Sequence, residues 1–317
     1  MSFATTVYYA PSGSLHMVSF AAVPVNDSLL LSDVYQLRQV STTAKLLYPS
    51  KFDHAPKDIA LFGGIDYSLN EDDLLAEVGK VKIENNFSRS LPADLTRGVE
   101  KWQYLPGTLQ EVTNIANAAR EKKIQTMLFT RAQAVEERFK SFAGNKSPSI
   151  IHIATHGFYF DQEQQDSIQA KNKVYRQSDN PLNRSGLLFA GGNVSWNSNS
   201  TSGKIDDGIL TAYEATYVTL NNTQLVTLSA CETGRGEVKG SEGVYGLQRA
   251  FKAAGSEYVM MSLWKVPDRE TSEFMQLFYN NYFSGVDIPV AFQTAQETMK
   301  NKCRSEPFKW AAFVLLR

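Results

Sequence analysis

Cysteine is scarce in this chain: Cys231 and Cys303 are the only two among 317 residues. Two thiols permit at most one bridge, so no disulfide framework holds the fold, and free thiols in a reducing compartment fit better. Histidine is scarce as well, with four in all, too few for several histidine-rich metal centres. An excess of one charge is also lacking. The 32 basic and 33 acidic residues leave a net charge of −1, without the basic surface that nucleic acids or anionic membranes select. No stretch approaches the ~18 consecutive apolar residues of a membrane span, and Met1–Thr6 has neither the basic nor the apolar part of a signal peptide. The expectation is a cytoplasmic protein without nucleic-acid or membrane partners. If the sequence is a domain cut from a longer chain, a targeting signal would lie on the missing part.

What is present is 43% hydrophobic and 21% charged, the composition of a globular protein large enough to bury a core without staples. Residues 1–56 read as extended pieces joined by turns: a strand over Thr6–Ala10, a turn at Pro11–Ser14, a further strand or pair over Leu15–Val25, then a mixed stretch to Leu47. From residue 57 a regular alternation begins. Strands are expected at Asp58–Gly64, Ile124–Phe129, Ile150–Thr155, Gln224–Ala230, Tyr258–Trp264 and Trp310–Leu316. Helices are expected at Gly107–Lys122, Arg131–Phe142, Gly243–Ala254, Arg269–Phe283 and Pro289–Lys302. Ile150–Thr155 is apolar at nearly every position, as strands covered on both faces are. Two polar stretches, Asp161–Arg184 and Gly191–Asp207, read as exposed loops, the second with a hairpin near Ser198–Ser200. Alternating strands and helices specify an α/β fold, a mostly parallel sheet of about six strands flanked by helices. The chain reads as one domain over 1–317, with a smaller N-terminal region (1–56) before the core (57–317).

Two strand ends carry chemistry. Ile150–Thr155 delivers His156-Gly157, and Gln224–Ala230 delivers Cys231-Glu232-Thr233-Gly234. Thiolate catalysis needs a cysteine, a base and donors for the oxyanion, and in α/β sheets such groups collect at the carboxyl ends of strands. The backbone N–H groups of Gly157 and Cys231 are the natural oxyanion donors. Alone, each residue has a blander reading: a buried cysteine is usually a small hydrophobe, and a lone histidine is usually structural.

The boxes His156-Gly157-Phe158 and Leu228-Ser229-Ala230-Cys231-Glu232-Thr233-Gly234 resemble those of the CHAT family, relatives of caspases and separase. The resemblance continues through Gly240–Leu247, Ala253-Ala254-Gly255, Ser262–Asp268 and Trp310–Phe313, and begins at Pro11–His16, so it spans nearly the whole chain. Phe20 follows Ser19 where a Pro-Phe pair is common, and Pro267 stands where a polar residue is frequent; neither touches the dyad. The resemblance implies a caspase-like fold and a cysteine protease. In it His156 assists deprotonation of Cys231, the thiolate attacks a peptide carbonyl, and His156 protonates the leaving amine. It also implies a protein substrate, no cofactor, and a tetratricopeptide-repeat (TPR) or other sensor region as partner, in bacterial defence or cell death. In separase-like relatives an acid near Asp268 receives a basic P1 side chain, which makes Asp268 the substrate-binding candidate. The plainer reading makes Asp268 the N-cap of the helix that follows. Lys265, in the same segment, would favour an acidic P1 instead.

Other readings are weaker. His152 and His156 form an H-x-x-x-H pair, but on a strand they stand about 13 Å apart, so His152 reads as structural. Phe62-Gly63-Gly64 lacks any nucleotide-binding pattern and reads as a turn at the strand end, and Ser229 is not in a nucleophile elbow. The serious rival is a catalytically silent CHAT-like interaction module. The loops Asp161–Arg184 and Gly234–Gly243 are expected to carry zymogen-type control.

Overall fold

The computed structural model describes residues 5–48, 50–52, 55–81, 101–159, 180–197, 205–232 and 242–317. The chain opens with strand β1 (Thr6–Tyr9), 3-10 turns at Gly13–Met17 and Phe20–Ala22, a single turn α1 (Leu31–Val34), strand β2 (Gln36–Gln39) and a 3-10 turn at Thr43–Leu47. The extended pair expected over Leu15–Val25 is therefore replaced by turns. Gly13 adopts φ 55°, a left-handed conformation at the start of the first turn, and Phe20 folds back so that its ring lies 4.7 Å from that of Tyr9.

The alternating part follows as β3 (Asp58–Ile65), α2 (Glu71–Val78), α3 (Pro106–Glu121), β4 (Gln125–Arg131), α4 (Glu136–Lys140) and β5 (Ile150–Tyr159). Next come β6 (Ser185–Leu188), α5 (Gly192–Asn197), β7 (Ile209–Thr211), α6 (Ala212–Ala215) and β8 (Leu225–Glu232). The chain closes with α7 (Glu242–Ala253), β9 (Tyr258–Ser262), α8 (Asp268–Phe283), α9 (Ile288–Lys302) and β10 (Phe313–Leu316). The sheet order is β1-β2-β10-β9-β8-β5-β3-β4, with β6 attached to β5 and β7 to β6. β10 runs antiparallel to β9, and β6 and β7 are antiparallel additions. The rest of the sheet is parallel, so the fold is the mostly parallel, helix-flanked α/β sheet expected. It has ten strands among the described residues rather than about six. The N-terminal strands extend one edge, and the short β6 and β7 each begin just after one of the two expected loops, in stretches for which no element was expected.

One face of the sheet buries Phe62, Ile153, Phe139, Phe189 and Phe251. The other buries Ile115, Phe274, Phe278, Met299 and Trp310 under α3, α8 and α9. Gly63 and Gly64 set the distance of α3 from the sheet. A Cβ on Gly63 would meet the Thr108 carbonyl and Val112 Cγ1 at 2.7 Å, and Gly64 (φ +59°) lies against Leu109. The glycine pair is thus a helix-to-strand contact inside β3, not the turn its sequence suggests. Helix α4 is shorter than expected, because β4 runs on to Arg131 (φ 51°).

Candidate active site

β5 does not stop at Thr155; it runs through His156 to Tyr159, and β8 runs through Cys231 to Glu232. Both candidate residues are therefore inside strands rather than just beyond them. The two strands pair in parallel, and the register sets His156 opposite Cys231 and Gly157 opposite Glu232. Neighbouring strands lie about 4.8 Å apart, so the rung brings the two backbones together. The pairing of β8 with β9 ends at Leu228 with Met261. The pairing of β5 with β3 ends at Ile153, and β6 takes over that edge only from Gly157. The His156–Cys231 rung thus sits where the neighbouring strands of the sheet fall away.

His156 is buried, with 4% of its surface exposed. Its Nε2 lies 2.7 Å from the main-chain oxygen of Gln103. A carbonyl can only accept, so Nε2 carries the proton and Nδ1 is left as the basic nitrogen. The imidazole is held between two rings, Tyr67 and Trp102, each with its centroid 4.9 Å away. Burial pushes the imidazole pKa below its ordinary value; the Gln103 bond opposes this, and the nearby Lys265 ammonium adds to it. Tyr67 is fixed by a 2.9 Å hydrogen bond between its hydroxyl and Thr155 Oγ1. The indole Nε1–H of Trp102 is buried and has no acceptor among the described residues.

Gly157 is flanked by Leu187 on β6 and Glu232 on β8. A Cβ placed on it would make ordinary contacts of 3.6 Å, so packing alone does not demand glycine there. Lys265 and Asp268 are both exposed, and neither makes an ion pair among the described residues. α8 begins at Asp268 itself with Pro267 at the cap position. The N-cap role expected for Asp268 is therefore incorrect: Pro267 occupies the cap with φ −58° and ψ 143°, which makes Asp268 the first helical residue. Its carboxylate stands instead against Gly107 at the start of α3, where a Cβ would meet Oδ2 at 2.7 Å. Gly107 follows Gln103 by four residues, so Asp268, Lys265 and His156 border one region.

His152 is structural, as its sequence context suggests. Its Nδ1 is 3.0 Å from the Tyr279 hydroxyl and its Nε2 is 3.0 Å from Glu111 Oε1. Glu111 also accepts from Ser229 Oγ at 3.1 Å, and Tyr279 meets Thr227 at 3.0 Å, which ties α3 and α8 to β5 and β8 in a buried network. Sequence reasoning missed the parts that hold His156. Gln103 acts through its main chain, which no side-chain pattern announces, and Tyr67 and Trp102 lie far from the His box in sequence. The loops expected to regulate the site, Asp161–Arg184 and Gly234–Gly243, fall largely or almost wholly outside the described residues. A cavity of about 120 Å³ lies between β1, β2, β10 and α9, lined by Tyr9, Arg38, Phe292 and Phe313 among others, and includes none of the candidate residues.

The profile of the CHAT domain matches residues 3–317, and the chain belongs to the CHAT-domain family. It is similar to Tetratricopeptide repeat protein 28 of Mus musculus, 32% identical over 109 residues, 34% of this chain and 4% of that protein. The Homo sapiens protein of the same name is 34% identical over 94 residues, 29% of this chain and 4% of that protein. The chain thus spans about 4% of the length of these curated relatives. Among solved structures, the Arg-specific cysteine proteinase gingipain R aligns with a TM-score of 0.46 at 9% identity, over 93% of this chain and 56% of that one. No helix among the described residues is long and apolar enough to cross a membrane.

Proposed function

We propose that the chain is a cysteine endopeptidase in which Cys231 is the nucleophile and His156 the acid/base. The observation that carries this reading is the shared rung of His156 and Cys231, with Nδ1 of the imidazole left basic by the Gln103 bond. In the reaction His156 Nδ1 takes the Cys231 proton, and the thiolate adds to a peptide carbonyl of a protein substrate. His156 returns the proton to the leaving amine, and water then hydrolyses the thioester. The N–H groups of Cys231 and Gly157 are the proposed oxyanion donors, a Gly157 donation requiring the local release of its ladder position.

The proposed P1 side chain is basic and is received by Asp268, whose carboxylate is exposed and unpaired among the described residues. A role for a TPR or sensor region in control accords with the repeat proteins among the relatives. A bacterial defence or cell-death setting is proposed from the sequence resemblance, and a cytoplasmic location from composition.

The test is covalent labelling by a peptide-derived thiol-reactive electrophile, mapped by mass spectrometry. Cys231 labels and Cys303 does not, and His156→Ala slows labelling of Cys231 by about 10²-fold. A folded protein with an unreactive Cys231 would instead be the silent interaction module.

A further inference from the structure

His156 is oriented by a main-chain carbonyl, so whatever holds that carbonyl holds the imidazole. The carbonyl belongs to Gln103, in the segment Lys101–Leu105, which has no regular secondary structure of its own. Thr108 Oγ1 holds its end at the Leu105 carbonyl at 2.7 Å, and the residue next to Gln103 is gripped by a side chain from another element. Asn193, in the first turn of α5 and 3% exposed, accepts from the Trp102 N–H through Oδ1 at 2.8 Å. Its Nδ2 donates to the Trp102 carbonyl at 3.0 Å and to Ser68 Oγ at 2.9 Å. The side-chain amide therefore pairs with both main-chain groups of Trp102, as a neighbouring strand would. Asn193 is itself anchored by its own N–H to the Tyr67 carbonyl at 2.8 Å. The two rings that flank His156, Tyr67 and Trp102, are thus bound to one residue.

We infer that Asn193 is a positioning residue for the reaction: its carboxamide clamps Trp102 so that the adjacent Gln103 carbonyl selects the Nε2–H tautomer of His156. The inference rests on the proposed role of His156 but concerns a distinct property, the state of the ring. Asparagine suits the task because one planar group both donates and accepts, which no hydroxyl or carboxylate does in that geometry. A buried asparagine could equally serve stability alone, so the test reads the ring itself. Lys265 is the charge felt at the imidazole and Tyr67 is the titratable group in ring contact with it; neither is altered in the variants.

The experiment is ¹⁵N NMR of the imidazoles in the full chain, wild type beside Asn193→Ala and Asn193→Asp, with thermal unfolding of each. The chain has four histidines, and a His156→Ala sample assigns the signal. Wild type shows Nε2 protonated and Nδ1 basic. In Asn193→Ala the Nδ1–H tautomer becomes populated, and the titration midpoint of His156 falls because a bond favouring the protonated ring is lost. Asn193→Asp, which keeps only the acceptor for Trp102 N–H, is intermediate in tautomer balance. On a cleavable peptide, Asn193→Ala loses about 10- to 100-fold in kcat with little change in KM. An unchanged His156 signal in folded Asn193→Ala overturns the inference, even if unfolding comes at a lower temperature. Absence of turnover in the wild type would defeat the protease reading while leaving the tautomer result to decide this one.

Discussion

The imidazole of His156 is enclosed between two aromatic rings and donates to the Gln103 main-chain oxygen. Burial favours its neutral form, which makes it a base at neutral pH and sets a sign for its titration. In Cys231→Ala, where no thiol complicates the reading, His156 titrates below the ordinary 6.5 by NMR. A midpoint at or above that value would contradict the enclosure described. Its lowered pKa also means that stability drawn from the neutral ring is complete above about 6.5 and declines as pH falls toward the folded value. A second site, at Glu136 and Glu137, acts in the opposite direction. Glu136, Glu137, Asp206 and Glu214 surround Lys140, which lies 2.7, 2.9 and 3.4 Å from Glu136, Asp206 and Glu214. Burial pushes Glu137 up to about 7 and raises Glu136 as well. The folded state then holds protons that the unfolded state has lost, so stability falls as pH rises from about 4.5 to 7. Glu137→Gln keeps an acceptor for the Asp206 N–H and removes the Glu137 share of that fall. Urea unfolding at pH 5 and pH 8 checks this, with a gain of about 1–3 kcal/mol at the higher pH.

At the scale of elements, α3 links the sheet to the site. Its first turn touches Asp268, the segment before it binds His156, and its middle carries Glu111 to the network under β5 and β8. Gly63 lets it approach that closely. Gly63→Ala therefore costs about 1–3 kcal/mol through overpacking, measured by thermal unfolding, and slows turnover further by shifting the Gln103 carbonyl. Asp268→Asn lowers cleavage after Arg or Lys without altering Cys231 labelling; retained basic P1 preference would remove Asp268 from the pocket. How far such features can be read from sequence depends on where the signal lies. β5 and β8 were legible because uninterrupted apolar runs specify strands buried on both faces, and the His and Cys boxes mark their ends. Their true lengths were not, since His156 and Gly157 look like a turn until the β8 register is known. Residues 191–197 read as loop from their glycine and asparagine content, although Asn193 and Trp196 are buried. Their burial depends on Trp102 and Phe158, partners distant in sequence. The orientation of Gln103 is a main-chain property and leaves no residue-type signal.

At the scale of the molecule, the N-terminal strands cover what would otherwise be an edge. β2 pairs with β10, and β1 lies outside it. Arg38 reaches α9 through Pro289 O and Gln293 Oε1. Removing residues 1–40 uncovers the edge of β10, and an uncovered edge invites association. The truncated chain is expected to elute as oligomers in size-exclusion chromatography where the full chain does not. All of this scaffolding serves one rung of the sheet, and the most direct test of the account is peptide-library cleavage by wild type beside Cys231→Ala and His156→Ala. The account predicts turnover in the wild type with a basic P1 preference, and its loss by at least about 10³-fold in both variants. Undiminished cleavage in either variant would contradict it.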